Sequence, residues 1–163
     1  MQVILQDIRS VYNVGSIFRT ADATGVEKIY LTGITPEPID RFGRIRQQMA
    51  KVSLGAEKTV PWDASARSAR ATLKLLEKLK SEGYKIWAVE QHKRAIPYYR
   101  LKIPASSIKK AVLIFGNEVR GLPLSILKKA DKILEIPMHG KKESLNVAVA
   151  FGIVAFHLIS ARK

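Results

Sequence analysis

The chain contains no cysteine. Disulfides, thiolate metal sites and cysteine nucleophiles are therefore excluded. Acidic residues are scarce: 14 Asp and Glu stand against 28 Lys and Arg, a formal net charge of +14 over 163 residues. Long apolar runs are missing too. The longest apolar helical pattern, Val147 to Ile159, contains His157 and falls short of the ~20 residues that span a bilayer. Met1 to Ser10 shows no basic segment leading into a long apolar stretch, so no signal peptide is expected and a cytoplasmic location fits. The histidines, His92, His139 and His157, lack metal-ligand spacing, and no metal is expected. No glycine loop ends in Gly-Lys-Ser/Thr, and none follows the Gly-x-Gly-x-x-Gly pattern, which speaks against a phosphate-binding P-loop or a dinucleotide fold.

What is present is a globular composition: 47% hydrophobic residues and a mean hydropathy of -0.03. One domain over residues 1–163 is expected, with no separate extension. The basic excess, with a pI near 10.1, calls for a polyanionic partner: RNA, DNA or an acidic membrane surface. Adaptation to heat or salt is the plainer reading, weakened because acidic residues have not risen with lysine.

Apolar β-rich runs alternate with helical patterns along the chain. Strands are expected at Val3 to Leu5, Lys28 to Leu31, Lys85 to Val89, Ala111 to Phe115 and Lys132 to Ile136, and a short strand or extended piece at Thr59 to Trp62. Helices are expected at Val14 to Thr24, Arg44 to Lys51, Ala64 to Glu82, Pro123 to Lys129 and Ser144 to Ser160, with a proline-bearing loop near residues 36 to 38. The alternation predicts an α/β fold: a mostly parallel sheet flanked by helices. The strands are continuous apolar runs, as strands buried on both faces are.

Three stretches carry polar groups that a packed core does not ask for. In Asn13 to Arg19, Asn13 could act simply as a helix cap, whereas a guanidinium at Arg19 among small and apolar neighbours needs a planar anion. That anion could be a phosphate, a substrate oxygen, Asp7 or Asp22. In Gly116-Asn117-Glu118-Val119-Arg120-Gly121, two glycines after a strand suggest close backbone approach to a ligand. Glu118 there could bind a cation, orient a neighbouring loop or pair with Arg120 or another arginine. In Met138 to Asn146, Ser144 could cap the last helix, and Asn146 is an odd choice beside Leu145 and Val147. Trp62, Tyr98 and Tyr99 could stack on bases, Trp87 reads as core, and His157 as a packing or surface residue.

In this order the three stretches resemble the SpoU (TrmH-like) family of RNA ribose 2′-O-methyltransferases, in the SPOUT superfamily. The likeness runs from Asp7 to about Leu158. Echoes such as Lys51 to Ala56 before Val60-Pro61-Trp62 support it. The resemblance implies an α/β fold with a C-terminal trefoil knot, a rare exception to unknotted topology. It implies S-adenosyl-L-methionine as cofactor, held around Phe115, Gly116, Asn117, Ile136, Met138, Ser144 and Leu145. It implies a homodimer with active sites near the interface, and RNA, tRNA or rRNA, as substrate. Arg19 would be the favoured catalytic group, with Asn13, Glu118, Ser144 and Asn146 organising the site. Arg9, Arg41, Arg44, Arg46, Lys51, Lys141 and Lys142 would meet RNA phosphates. The glycine loop departs from the family at Arg120, where an acidic residue is common. A non-catalytic RNA-binding protein of the same fold is the alternative.

Overall fold

The computed structural model describes residues 1–102 and 104–160, so the expected single domain runs past the described residues at 161–163. Among the described residues seven strands form one sheet: β1 (Gln2–Gln6), β2 (Lys28–Thr32), β3 (Trp62–Asp63), β4 (Lys85–Val89), β5 (Ile96–Pro97), β6 (Ala111–Phe115) and β7 (Lys132–Glu135). Their order is β3-β2-β1-β6-β4-β7-β5, and every neighbouring pair is parallel.

Alternate residues of each strand point to opposite faces, and here both faces are buried. Val3, Leu5, Leu113 and Phe115 join one core with Val14, Ile17, Phe18 and Phe151. Ile4, Val112 and Ile114 join the other with Leu76, Leu79 and Ile126. This double burial is why the strands read as unbroken apolar runs. The first core is covered by α1 (Val11–Ala23) and α7 (Val147–Ser160), and the second by α4 (Ala69–Ser81) and α6 (Leu124–Leu127).

Several boundaries differ from the periodicity, each for a local reason. The first helix starts at Val11, because the Ser10 hydroxyl accepts from Asn13 N–H at 3.2 Å; Asn13 is not the cap. The basic helix α2 spans Gln47–Ser53 rather than starting at Arg44. Residues 39–45 are taken instead by an antiparallel Ile39–Ile45 bridge and by Asp40. Ala56–Thr59 is a short helix, α3, and pairing with β2 begins only at Trp62. The long helix α4 starts at Ala69, where Ser68 accepts from Ala71 N–H. Its expected first turn is extended, since the Asp63 carboxylate takes Ser65 N–H and Oγ–H, and Ala66 C=O takes Gly33 N–H. Helix α7 starts at Val147 rather than Ser144. Edge strand β5 and a short helix α5 (Ala105–Lys109) were not expected from the pattern. No helix among the described residues is long and apolar enough to cross a membrane.

Candidate functional site

A cavity of about 270 Å³ opens at the carboxyl ends of β6, β4 and β7. Open α/β sheets place their ligands at this position. Its walls are the segments that follow those strands, Phe115 to Val119 with Gly121, Val89 to Gln91, and Glu135, Ile136 and Met138, closed by Glu143 to Leu145, Val147 and Ala150. All seven residues expected around the cofactor line it: Phe115, Gly116, Asn117, Ile136, Met138, Ser144 and Leu145. Phe115 meets Phe151 of α7 edge-to-face at 5.5 Å, which fixes the cavity floor to the last helix.

Asn117 builds the glycine loop. Its Oδ1 accepts from Val119 and Arg120 N–H at 3.0 and 2.9 Å, and its Nδ2 donates to Asp7 C=O at 2.8 Å. Gly121 N–H donates back to Asn117 C=O at 2.9 Å, closing the loop. The closure needs glycine: a Cβ on Gly116 would stand 2.6 Å from the backbone of Gly121 and Leu122, and Gly121 itself has φ +65°.

Glu118 does not pair with Arg120. Its carboxylate faces the entry of α1 and accepts from Arg9 N–H at 3.1 Å, Ser10 N–H at 3.3 Å and Asn13 Nδ2 at 3.1 Å. Partial desolvation pushes this carboxyl up, but the combined N–H donors outweigh it and hold the group below the ordinary glutamate range. The Asn13 amide then has one orientation open to it. A carboxylate only accepts, so the amide NH2 faces Glu118 and Oδ1 is left to accept from Asn146 Nδ2 at 3.0 Å. Asn146 Oδ1 in turn accepts from Ala148 N–H at 2.9 Å, and Ala150 N–H reaches Asn146 C=O. Asn146 therefore caps α7, the role expected of Ser144, and it is exposed rather than buried in the helix. One polarised relay, Glu118–Asn13–Asn146, joins all three sequence motifs. Ser144 lies exposed on the cavity wall.

Arg19 is not part of this cluster. It lies six residues beyond Asn13, about 120° around α1. It is exposed in a shallow groove with Asp22, Leu54, Gly55 and Thr59. Neither suggested carboxylate partner takes it: Asp22 accepts from Thr59 Oγ1–H at 2.7 Å, and Asp7 from Ile34 N–H at 3.0 Å.

The expected RNA contacts are scattered over the surface. Arg9 is exposed beside Glu118, and Lys51 is exposed on α2. Lys141 and Lys142 rim a depression adjoining the cavity at Met138 and Glu143. Arg41 and Arg44 flank Phe42, while Arg46 Nε donates to Glu37 C=O at 3.0 Å. Trp87 is core, and His157 packs on Tyr98 at 5.0 Å.

Glu90 and Gln91 escaped the sequence reading. Glu90 accepts from Leu122 N–H at 2.8 Å, and Gln91 Nε2 donates to Ile136 C=O at 2.7 Å. The pair thereby ties the loops after β4, β6 and β7 together. The available signal was a polar pair immediately after an apolar strand, where such sheets carry their ligand groups. Among the described residues no group of three His, Cys, Asp or Glu could hold a metal.

Fold and cavity together define an α/β protein with an open cavity at the carboxyl edge of a parallel sheet. The chain belongs to the SpoU rRNA Methylase family, which it matches over residues 1–156. It is 30% identical over 161 residues to the 23S rRNA (guanosine-2'-O-)-methyltransferase RlmB of Photorhabdus laumondii, covering 98% of this chain and 59% of that protein. Among solved structures it resembles the A. aeolicus TrmH/SpoU tRNA modifying enzyme, at TM-score 0.80, 28% identity, and 98% and 74% coverage. It also resembles the AdoMet-bound rRNA methyltransferase from Sinorhizobium meliloti, at TM-score 0.81, 29% identity, and 96% and 54% coverage. The chain spans 58% to 59% of the length of the curated relatives it matches.

Proposed function

We propose that this chain transfers a methyl group from S-adenosyl-L-methionine to a ribose 2′-hydroxyl of tRNA or rRNA, as a single cytoplasmic domain of residues 1–163. The observation that carries the reading is the relay from Glu118 through Asn13 to Asn146, which meets the cavity wall at Glu118. It supplies fixed polar groups beside a nucleoside-sized space, in a chain of the SpoU family. The cavity fits the cofactor in kind. Phe115, Ile136 and Leu145 offer apolar walls, Gly116 lets backbone come close, and Glu90, Glu118, Glu135 and Glu143 give a +14 chain an anionic lining suited to a cationic ligand. When bound, the cofactor supplies an electrophilic methyl on a sulfonium sulfur.

The protein's share is placement and charge stabilisation. A ribose hydroxyl is a poor nucleophile and must lose its proton during attack, so oxygen has to be held in line with the methyl while negative charge develops on it. Glu118 accepts from three N–H donors that favour its ionised form, so it is assigned to organising the site rather than to taking the proton. Arginine stays protonated, which gives Arg19 the task of orienting the hydroxyl and stabilising its developing charge.

Arg19 does not line the cavity of its own chain, so the reading includes a homodimer in which a second copy brings it to one. Tyr12 on α1 and Val149 and Phe156 on α7 are apolar side chains 51%, 51% and 48% exposed, and they support a contact over these two helices. A C-terminal trefoil knot belongs to the same reading, and the fold shared with solved SpoU-family structures supports it.

The test is transfer of labelled methyl to unmodified total tRNA and to rRNA separately, with nucleoside analysis and light scattering of the protein. A 2′-O-methylated nucleoside from one pool, made by a dimer, is expected. RNA binding without cofactor binding or transfer would overturn the reading.

A further inference from the structure

The loop between β2 and α2 ends in a tip that the cavity and its relay do not use. Phe42 stands there 65% exposed. Arg41 and Arg44 place their guanidinium carbons 4.7 and 5.0 Å from its ring centroid. We infer that this tip is a nucleobase-stacking site, Phe42 taking an unpaired base of the RNA while the flanking arginines meet its phosphates. The inference rests on the RNA substrate proposed above and extends it to a class of RNA feature: a single-stranded base outside the methylated ribose.

The tip is held before any ligand arrives. Asp40 Oδ1 accepts from Phe42 N–H at 2.8 Å and Arg44 N–H at 3.0 Å, and Oδ2 takes Arg44 Nε at 3.1 Å. The Ile39–Ile45 bridge closes the turn behind it. At the base of the loop, Arg67 donates to Thr35 C=O at 2.6 Å and pairs with Glu37. A large ring kept in water by so many constraints is not a core residue that failed to bury. A rigid aromatic costs little entropy to place against a flat partner, and bases, whatever their identity, present such a face. Guanidinium groups stack on bases as well. Arg44 is tethered to Asp40, whereas Arg41 makes no ion pair among the described residues, so Arg41 is the one to swing from the ring to a phosphate as a base arrives.

The experiment uses the full chain at fixed salt, with fluorescence anisotropy of a labelled single-stranded oligoadenylate and of a fully paired RNA duplex. Phe42→Ala and Phe42→Leu are expected to weaken the single strand about tenfold and leave the duplex unchanged, and Phe42→Trp to restore it. Phe42→Ala should leave the salt dependence alone, while Arg41→Ala lowers its slope. Equal loss on both RNAs, no loss at all, full binding by Phe42→Leu, or a change in oligomeric state on light scattering would each overturn the stacking site. Wild-type protein that binds neither RNA would overturn it together with the RNA reading. Wild type that binds and methylates RNA while Phe42→Ala matches it in every respect would overturn the stacking site alone.

Discussion

Replacing Gly116 by alanine asks whether the cavity depends on backbone-to-backbone contact. The added Cβ would lie 2.6 Å from Gly121 C and Leu122 N, against 3.4 Å for ordinary contact, so the two limbs of the glycine loop must part by about 0.8 Å. The obstacle is backbone and cannot rotate away as a side chain would. Parting strains the Gly121 N–H to Asn117 C=O bond at 2.9 Å and the Leu122 N–H to Glu90 bond at 2.8 Å. Overpacking of this kind costs about 2 kcal/mol. If the strain is carried in both free and bound protein, Tm falls by about 6 °C. If the loop relaxes in the free protein and must be re-formed to hold the cofactor, S-adenosyl-L-methionine affinity falls about thirtyfold instead. Thermal unfolding and calorimetric titration on the same samples read both routes. Gly140→Ala is the control, since a Cβ there meets nothing within 4 Å and the residue has no positive φ. Gly116→Ala with wild-type Tm and wild-type cofactor affinity would refute the reasoning.

Three further outcomes follow from the relay and from Arg19. Glu118→Gln removes a charge-assisted acceptor, and its stability deficit against wild type should depend on pH. The folded carboxyl lies below the ordinary glutamate value of 4.5, so the wild-type advantage is full above that value and disappears as pH falls through the depressed one; a deficit independent of pH in denaturation curves would contradict this. Asn13→Ala and Asn146→Ala should be non-additive in a double-mutant cycle by about 1 kcal/mol, because each leaves the other without its partner, and simple additivity would mean the amide–amide bond contributes nothing. Arg19→Lys should lower turnover about a hundredfold with unchanged cofactor affinity, and near-wild-type turnover would mean that the hydroxyl does not need a guanidinium to orient it.

The sheet was legible because burial on both faces writes itself as uninterrupted apolar runs, and Ala111 to Phe115 and Lys85 to Val89 fall at the expected positions. Helix starts were less so. Ser10 and Ser68 take the capping role because their hydroxyls reach an N–H three residues on, a competition that spacing does not decide against Asn13 or an earlier start at Ala64. The two-residue strands β3 and β5 carry no period to read, and they exist because β2 and β7 offer open edges.

The sequence by itself determined the excess of basic charge and the α/β alternation, since these depend on residue type and on neighbours close in the chain. It also carried Asn13, Glu118 and Asn146 as candidates. Only the tertiary structure decided what they do: Glu118 and Asn13 are 105 residues apart, and Asn146 and Asn13 are 133 apart. Hydrogen bonding is directional and short-ranged, so the alternatives open to a carboxylate in sequence collapse to one when parallel strands bring α1, the glycine loop and the start of α7 to the same edge. The same placement put Arg19 outside the cavity, because helical geometry fixes its direction relative to Asn13 whatever residue stands there.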